Sequence, residues 1–230
     1  MSMARNHQKI SVIIPVFNEE DAISLVIEDI PKTLVDEIIV VDNGSTDNTA
    51  RTAQKAGAQV VREELRGYGA ACLRGIASVN NPDIIVFLDG DYSDYPDEME
   101  SLIAPILRGE ADLVIGSRIA HPDGSKALLP QAYWGNRVTT WLIKIIYHHR
   151  FTDLGPFRAI CFSALKKLGM QDKNYGWTVE MQVKAVKRGL TIVEVPVNYR
   201  TRVGKSKVTG TLSGTIKAGA KILYTVFSLW

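Results

Sequence analysis

The chain has 230 residues, of which 46% are hydrophobic and 23% charged. This composition excludes disordered and collagen-like chains, and the length accommodates one large domain with a substantial core. Two cysteines are too few for a disulfide scaffold, so we expect a reducing, cytoplasmic location. The sequence contains no recognisable secretory signal and no apolar run of the roughly 18 residues that a membrane-spanning helix needs.

The net charge of +2 conceals an uneven distribution. Residues 181–230 carry nine basic side chains and one acidic side chain, whereas the first 180 residues have a net charge of −6. A basic segment favours a phosphate-bearing partner or a membrane surface, and a solvated basic face is the alternative. No aromatic stacking surface accompanies the basic residues, so we expect no nucleic-acid partner.

Apolar, β-branched runs alternate with helical patterns along the chain. The alternation predicts an α/β fold with a mostly parallel sheet, and the continuous apolar runs predict strands buried on both faces. The predicted strands are Ile10–Phe17, Glu37–Val41, Gln59–Val61, Ile84–Leu88, Leu113–Ile115 and Thr191–Val197. The predicted helices span residues 19–30, 46–56, 68–79 and 97–107.

Residues 84–91, IIVFLDGD, place two carboxylates after a buried strand. Residues i and i+2 of an extended backbone point to the same side, and Gly90 allows a tight path between Asp89 and Asp91. Ligands of open α/β sheets bind at the carboxyl ends of strands. Two hard carboxylates there suit Mg²⁺ or Mn²⁺ bridging a diphosphate. The structural alternative is a polar turn with solvated aspartates.

Two further segments follow predicted strands. Asp42 is a candidate partner of a nucleobase or ribose, and alternatively satisfies its own turn. Gly67-Tyr68-Gly69 begins like a dinucleotide-binding fingerprint, but Cys72 stands at the third glycine position, so the fingerprint fails. Gly67 therefore either lets the backbone approach a nucleotide or forms a turn.

Candidate catalytic groups lie in the second half of the chain. Four basic side chains occur between residues 200 and 207, and Arg202 and Lys205 in this loop suit phosphate neutralisation. Asp153 precedes a Gly-Pro turn. Glu180 opens a predicted helix and is catalytic, structural or both.

In order and spacing, these segments resemble the inverting glycosyltransferases of family 2, which have the GT-A fold. The resemblance covers about residues 9–210 and is strongest to polyprenyl-phosphate sugar synthases such as dolichyl-phosphate mannose synthase. The segments that carry it are Ser11–Glu19, Val41–Asp47, Asp89–Asp91, Gly116–Arg118, Gly155–Arg158 and Gly204–Lys207.

The resemblance implies a single GT-A domain over residues 1–230, with a Rossmann-like, mostly parallel sheet flanked by helices and with C-terminal helices. A nucleotide-sugar-binding half would span about 9–119 and an acceptor half about 120–210. Residues 211–230 would form an amphipathic helix that lies in the membrane interface, packs on the core or forms a dimer. The sequence is therefore compatible with peripheral attachment to the cytoplasmic membrane face and with a homo-oligomer.

The resemblance also implies roles for individual residues. The nucleobase and ribose pocket would be lined by Pro15, Phe17, Glu19 and Asp42. Gly67 and Gly90 would lie against the donor, Asp89 and Asp91 would hold the metal and the diphosphate, and Arg118, Arg202 and Lys205 would face phosphate groups. Four places depart from the pattern. Phe17 stands where Tyr is common, and Gly155–Arg158 reads Gly-Pro-Phe-Arg where Ser-Gly-Phe-Arg is usual. Asn43 stands where Asp is common, and Ser93 stands where the synthases commonly carry a metal-binding Gln, so that water would complete the shell.

The implied reaction moves a hexose from UDP-glucose or GDP-mannose to polyprenyl or dolichyl phosphate with inversion, assisted by a divalent cation. A phosphate acceptor is already ionised and needs no general base, whereas a soluble hydroxyl acceptor does. Asp153 is the first candidate base and Glu180 the second.

Two other functions are weighed against this one. A sugar-1-phosphate nucleotidyltransferase would have a glycine-rich loop after the first strand, which Pro15–Glu19 is not. A non-catalytic sugar-nucleotide-binding or scaffold protein would be favoured by loss of Asp89 or Asp91, and both are present.

Overall fold

The computed structural model describes residues 8–121, 127–204 and 212–230. Within them the strands are β1 Ile10–Val16, β2 Glu37–Asp42, β3 Gln59–Arg62, β4 Ile84–Phe87, β5 Leu113–Ser117, β6 Arg158–Cys161 and β7 Ile192–Pro196. The helices are α1 Ile23–Asp29, α2 Thr49–Lys55, α3 Tyr68–Ser78, α4 Met99–Leu107, α5 Pro130–Tyr147, α6 Phe162–Leu168, α7 Trp177–Lys187 and α8 Leu212–Ser228.

The strands form one sheet in the order β3-β2-β1-β4-β6-β5-β7. β1 pairs in parallel with β2 and β4, and β5 pairs in parallel with β7. β6 runs antiparallel to both of its neighbours, β4 and β5. The prediction of a mostly parallel sheet is confirmed, although β6 was not among the predicted strands.

All six predicted strands and all four predicted helices are present, but two helices begin later than the pattern indicates. α1 begins at Ile23 rather than near residue 19, and α2 begins at Thr49. The backbone N–H of Asn18 donates to Ser45 Oγ at 3.0 Å, and that of Glu19 donates to Thr49 Oγ1 at 2.8 Å. These bonds satisfy the backbone N–H groups of Asn18 and Glu19 without a helix. Residues 18–21 therefore form a loop that packs against residues 45–49.

Helices cover both faces of the sheet, and each face has its own apolar core. α1, α2 and α4 pack on one face, whereas α3, α5, α6, α7 and α8 contribute buried side chains to the other. The central strands β1, β4 and β5 are buried on both faces, as predicted, while the edge strands β3 and β7 are partly exposed. Val226 in α8 is fully buried, so one side of this helix belongs to the core. None of the described helices is long and apolar enough to cross a membrane.

Candidate active site

A cleft of about 490 Å³ opens at the carboxyl ends of β1, β2 and β4. The strand order reverses there, because β2 lies on one side of β1 and β4 on the other, and such a switch point is the usual ligand site of an open α/β sheet. The residues lining the cleft are Pro15, Val16, Phe17, Glu19, Asn43, Arg66, Gly67, Tyr68, Ala71, Asp89, Gly90, Asp91, Asn174, Tyr175 and Arg202.

One wall of the cleft is a stacked aromatic–cation pair. The guanidinium carbon of Arg66 lies 3.6 Å from the centroid of the Phe17 ring, and Arg66 also donates a hydrogen bond to the Asn43 carbonyl. Flat groups of this kind stack on nucleobases. Sequence reasoning missed Arg66 because neither a motif nor its neighbours distinguish it from other surface arginines.

Asn43 organises the loop that carries Arg66. Its amide nitrogen donates to the carbonyls of Glu63 and Leu65 at 3.1 and 2.8 Å, and its Oδ1 accepts the N–H of Gly67 at 2.8 Å. An aspartate carboxylate has no donor for the two carbonyls, which accounts for Asn at this position. The preceding residue, Asp42, is buried and accepts the N–H of Ser45 at 3.0 Å, so its observed bond is to its own turn.

Gly67 and Gly69 allow the start of α3 to touch the loop that contains Asp172 and Lys173. A Cβ at either position would lie 2.0 Å from the carbonyl oxygen of Lys173 or of Asp172, respectively, and Gly67 has a φ of +146°. The N–H of Ala70 donates to the Lys173 carbonyl at 3.0 Å. Gly67 borders the cleft, and its missing side chain makes room for protein backbone.

Glu180 anchors the loop that contains Asp172 and Lys173. The carboxylate accepts the N–H groups of Gln171 and Asp172 at 2.9 and 2.7 Å, and it pairs with Lys184 at 2.7 Å. Glu180 is buried, and the loop it holds supplies Asn174 to the cleft. The contacts of Glu180 are therefore those of a residue that positions the cleft wall.

Asp89 and Asp91 both line the cleft. One oxygen of Asp91 accepts the N–H and the hydroxyl of Ser93 at 3.0 and 2.5 Å, and the other pairs with Arg202 at 2.5 Å. Asp89 Oδ1 is buried and makes no hydrogen bond. Ser93 thus holds Asp91 in position.

The unpartnered oxygen of Asp89 fits a cation. Burial and the charge of Asp91 raise the pKa of Asp89 to about 7, and the opposing effect of Arg202 is smaller. Among the described residues, no three His, Cys, Asp or Glu side chains are arranged to hold a metal ion together. A cation bound to Asp89 and Asp91 would therefore take its remaining ligands from water or a diphosphate. Gly90 between them packs tightly, since a Cβ there would lie 2.5 Å from Val16 Cγ1.

Asp94 is a third carboxyl group in this region, and sequence reasoning missed it. Its side chain is buried, and neither oxygen has a hydrogen-bond partner. Burial, together with the charges of Asp89 and Asp91, raises the pKa of Asp94 well above its usual range. Asp94 follows Asp91 by three residues, but its burial and its proximity to Arg118 depend on the tertiary structure.

Arg118 and Asp153 form a buried pair. Arg118 Nε and Nη2 donate to the two oxygens of Asp153 at 2.8 and 2.7 Å, and the Arg118 backbone N–H adds a third bond at 2.9 Å. Asp153 is fully buried and also accepts the N–H of Leu154. The guanidinium of Arg118, predicted to face phosphate, is thus engaged by a protein carboxylate in this structure.

The basic loop docks on the loop that carries the acidic pair. The N–H of Arg200 donates to the Ser93 carbonyl at 2.9 Å, and that of Val203 donates to the Asp91 carbonyl at 3.0 Å. The Arg200 side chain donates to the Tyr92 carbonyl and lies 3.3 Å from the Tyr92 ring centroid. Arg200 therefore clamps the two loops together and aims Arg202 into the cleft. Lys205 lies outside the described residues.

A mostly parallel α/β sheet with an acid-lined cleft at its switch point is the arrangement of the GT-A glycosyltransferase fold. The pattern of glycosyl transferase family 2 matches residues 11–169. The chain belongs to this family.

The relatives of this chain extend over most of its length. It is 36% identical over 210 residues to an uncharacterised glycosyltransferase of Mycobacterium tuberculosis, covering 91% of this chain and 94% of the relative. It is 30% identical over 206 residues to a dolichyl-phosphate hexose transferase of Haloferax volcanii, covering 86% of each.

Solved structures support the same fold. Glucosyl-3-phosphoglycerate synthase from Mycobacterium tuberculosis, in complex with Mn²⁺, UDP and glucosyl-3-phosphoglycerate, superposes with a TM-score of 0.76 and 26% identity. The match covers 96% of this chain and 80% of the synthase.

Proposed function

We propose that this protein transfers a hexose, with inversion, from a nucleoside-diphosphate sugar in the cleft to a polyprenyl phosphate. The observation that carries the proposal is the acidic pair Asp89 and Asp91 at the sheet switch point, with Arg202 paired to one of them. The Haloferax relative named for dolichyl phosphate supports a lipid phosphate acceptor. The synthase bound to UDP and Mn²⁺ supports a nucleotide donor and a divalent cation.

The donor would lie along the cleft. Its base stacks on the wall formed by Phe17 and Arg66, beside Pro15 and Glu19, and its diphosphate lies toward Asp89 and Asp91. Both carboxylates would hold a divalent cation, which supplies neutralisation of the charge that develops on the departing diphosphate.

Arg202 would contact phosphate during the reaction. In the structure its guanidinium is partly exposed and pairs with Asp91 through one close contact. The planar guanidinium has further donors for phosphate oxygens. Its position between the acidic pair and the basic loop suits the donor diphosphate or the acceptor phosphate, and Lys205 is proposed to assist.

The environment of the two candidate bases favours a phosphate acceptor. Both oxygens of Asp153 accept hydrogen bonds from Arg118, and Glu180 is committed to two backbone N–H groups and Lys184. A phosphate acceptor needs no base, so we assign both carboxylates to positioning. A soluble acceptor is the second candidate, because the neighbouring synthase acts on a phosphoglycerate.

The first experiment is a thermal-shift panel of UDP, GDP, UDP-glucose and GDP-mannose with and without Mn²⁺. Ligands that bind the folded state raise the unfolding midpoint. We expect a Mn²⁺-dependent shift with one nucleotide and its sugar. The absence of any shift would contradict the donor site and favour a non-catalytic scaffold.

The donor identified in this way is then supplied, with a radiolabelled sugar, to polyprenyl phosphate in detergent and to 3-phosphoglycerate. Label that partitions into the organic phase supports the lipid acceptor. Label found only on phosphoglycerate would replace it with the soluble acceptor.

A further inference from the structure

Exposed aromatic and aliphatic side chains are concentrated on two neighbouring helices. Twelve large hydrophobic side chains are exposed among the described residues, and eight of them lie on α5, on α8 or just beyond α8. These eight include every aromatic side chain of the twelve. They are Trp134, Val138, Trp141, Ile145, Leu223, Tyr224, Phe227 and Trp230.

On α5 these residues form one stripe. Trp134, Val138, Trp141 and Ile145 recur at intervals of four, three and four residues, which is the spacing of one helix face. Trp134 and Trp141 are 63% and 59% exposed. The opposite side of α5 is buried, with Ile143 in the core. The helix therefore already has a core-facing side, and the exposed stripe is a second apolar side.

On α8, too, an exposed apolar side lies opposite a buried side. Tyr224 and Phe227 are 65% and 55% exposed, while Thr225 and Val226 between them are buried. The hydroxyl of Tyr147, at the end of α5, donates to the Val226 carbonyl at 2.5 Å and joins the two helices. α5 and α8 both also contact α7, so their exposed faces are turned away from it. We call this pair of exposed faces the α5–α8 face.

The charge of these helices selects the partner. α5 and α8 contain four basic residues, Arg137, Lys144, Lys217 and Lys221, and no aspartate or glutamate, although the chain has 25 acidic residues. Arg137 and Lys144 are exposed beside the Trp141 stripe. Apolar aromatics flanked by cations match the acyl and headgroup layers of an anionic bilayer. A protein partner would need an equally acidic and apolar surface.

We infer that the α5–α8 face docks the protein on the surface of an anionic lipid bilayer without crossing it. The docking itself is argued from exposure and charge. Its use, access to a lipid-linked acceptor, rests on the proposed function. It widens the membrane contact expected for residues 211–230, because α5 contributes half of the exposed apolar side chains.

α8 is tied to the cleft, and α5 is tied to the segment that carries the buried Asp153. Lys221 in α8 pairs with Asp172 at 2.7 Å, and Asp172 accepts the N–H of the cleft residue Asn174 at 2.7 Å. In α5, Asn136 accepts the N–H of Leu154 at 2.8 Å, next to the buried Asp153 pair. A docked face therefore holds the cleft at a set position relative to the bilayer.

The test is co-sedimentation of the full chain with phosphatidylcholine vesicles, with and without phosphatidylglycerol. We expect binding only to the anionic vesicles. The double variant Trp134→Ser/Trp141→Ser should lose about tenfold or more in partitioning. The matched control Leu65→Ser/Leu107→Ser removes two exposed leucines from elsewhere on the surface and should bind like the wild type.

The charge requirement has its own pair of variants. Arg137→Glu/Lys144→Glu should weaken binding to anionic vesicles by about fivefold or more for each cation removed. Lys166→Glu/Lys167→Glu changes the net charge equally on the exposed side of α6 and should have little effect. Circular dichroism and the unfolding midpoint verify that each variant is folded.

Three results would overturn the inference. The first is wild-type protein that does not bind anionic vesicles, and the second is tryptophan variants that bind unchanged. The third is a concentration-dependent dimer in sedimentation velocity, lost in the tryptophan variants without any vesicle binding, which would assign the face to a second copy. Vesicle binding needs neither donor nor acceptor. Its failure is therefore distinct from failure of the Mn²⁺-dependent nucleotide shift, which tests the proposed function.

Discussion

Two aspartate–arginine pairs each have a buried aspartate, but they differ in the exposure of the arginine and in the number of bonds. Asp91 and Arg202 touch through one close contact in the cleft, where the arginine side chain is 28% exposed. Asp153 and Arg118 meet through two parallel bonds, with the aspartate fully buried. A single contact made by a partly exposed arginine can be exchanged for a ligand, whereas a buried bidentate pair is costly to break. Identical residue types thus suit a ligand site in one place and a fixed support in the other.

The largest effect is expected from Asp89→Asn, which alters the ligand site without touching either ion pair. Loss of the carboxylate should abolish Mn²⁺-dependent nucleotide binding and lower the transfer rate by about 100-fold or more. Thermal shift and radiolabel transfer measure the two effects. Asp97→Asn, an exposed carboxyl group shortly after the same loop, is the control and should behave like the wild type. Unaltered binding by Asp89→Asn would remove the proposed metal site.

The next largest effect should come from breaking the buried pair. Asp153→Asn leaves the Arg118 guanidinium without its charged partner and should cost about 3–5 kcal/mol of unfolding free energy. Urea denaturation measures this loss. Removing both charges, as in Asp153→Asn/Arg118→Met, should cost less than the sum of the single changes. If Asp153→Asn were stable but inactive, the carboxylate would be a participant in the chemistry.

Breaking the Asp91–Arg202 pair should lower activity more than stability. Arg202→Gln removes a group proposed to contact phosphate, so transfer should fall by about tenfold to 100-fold. The unfolding free energy should fall by less than the about 3–5 kcal/mol expected for Asp153→Asn, because the Arg202 side chain is partly exposed although Asp91 is buried. Steady-state kinetics and denaturation are measured together. A large loss of stability would instead place Arg202 with Arg118 as a structural residue.

The smallest effect on stability is expected at Asp94, a buried carboxyl group whose oxygens, unlike those of Asp91 and Asp153, lack a hydrogen-bond partner. Burial and neighbouring carboxylates raise its pKa in the folded state, so its deprotonation disfavours folding as the pH rises above the unfolded pKa. Asp94→Asn should therefore be stabilising at neutral and alkaline pH and lose this advantage in acid. Unfolding midpoints across a pH series measure the effect. A gain that does not depend on pH would contradict this explanation.

Much of the first half of the molecule could be predicted because its elements follow from local pattern. Continuous apolar runs identify β1 and β4, and carboxylates placed directly after a strand reach the cleft edge, as Asp89 and Asp91 do. The residues of the cleft that were missed, such as Arg66, depend on a partner distant in the chain. Local sequence predicts position along a strand, but not which side chain arrives from elsewhere.

The second half could be predicted less well for a physical reason. β6 has four residues and begins with Arg158, which is fully buried. Its guanidinium donates to the backbone carbonyls of Leu154, Gly155 and Thr178, partners that only the tertiary structure supplies. A buried arginine satisfied in this way leaves no apolar run from which to predict a strand.

The reversed direction of β6 has a consequence for how this fold can diversify. Arg158, where β6 begins, pairs with Phe87 at the carboxyl end of β4. The segment before β6 is therefore delivered to the edge of the sheet that holds the cleft, where a parallel strand would deliver only the segment that follows it. Changes of length before β6 that leave α5 and the Asp153 pair in place should leave the register of β1, β2 and β4 unchanged. One inverted strand thus brings a separate stretch of chain to the cleft edge, and under the proposed function this stretch is where a new acceptor specificity would be grafted.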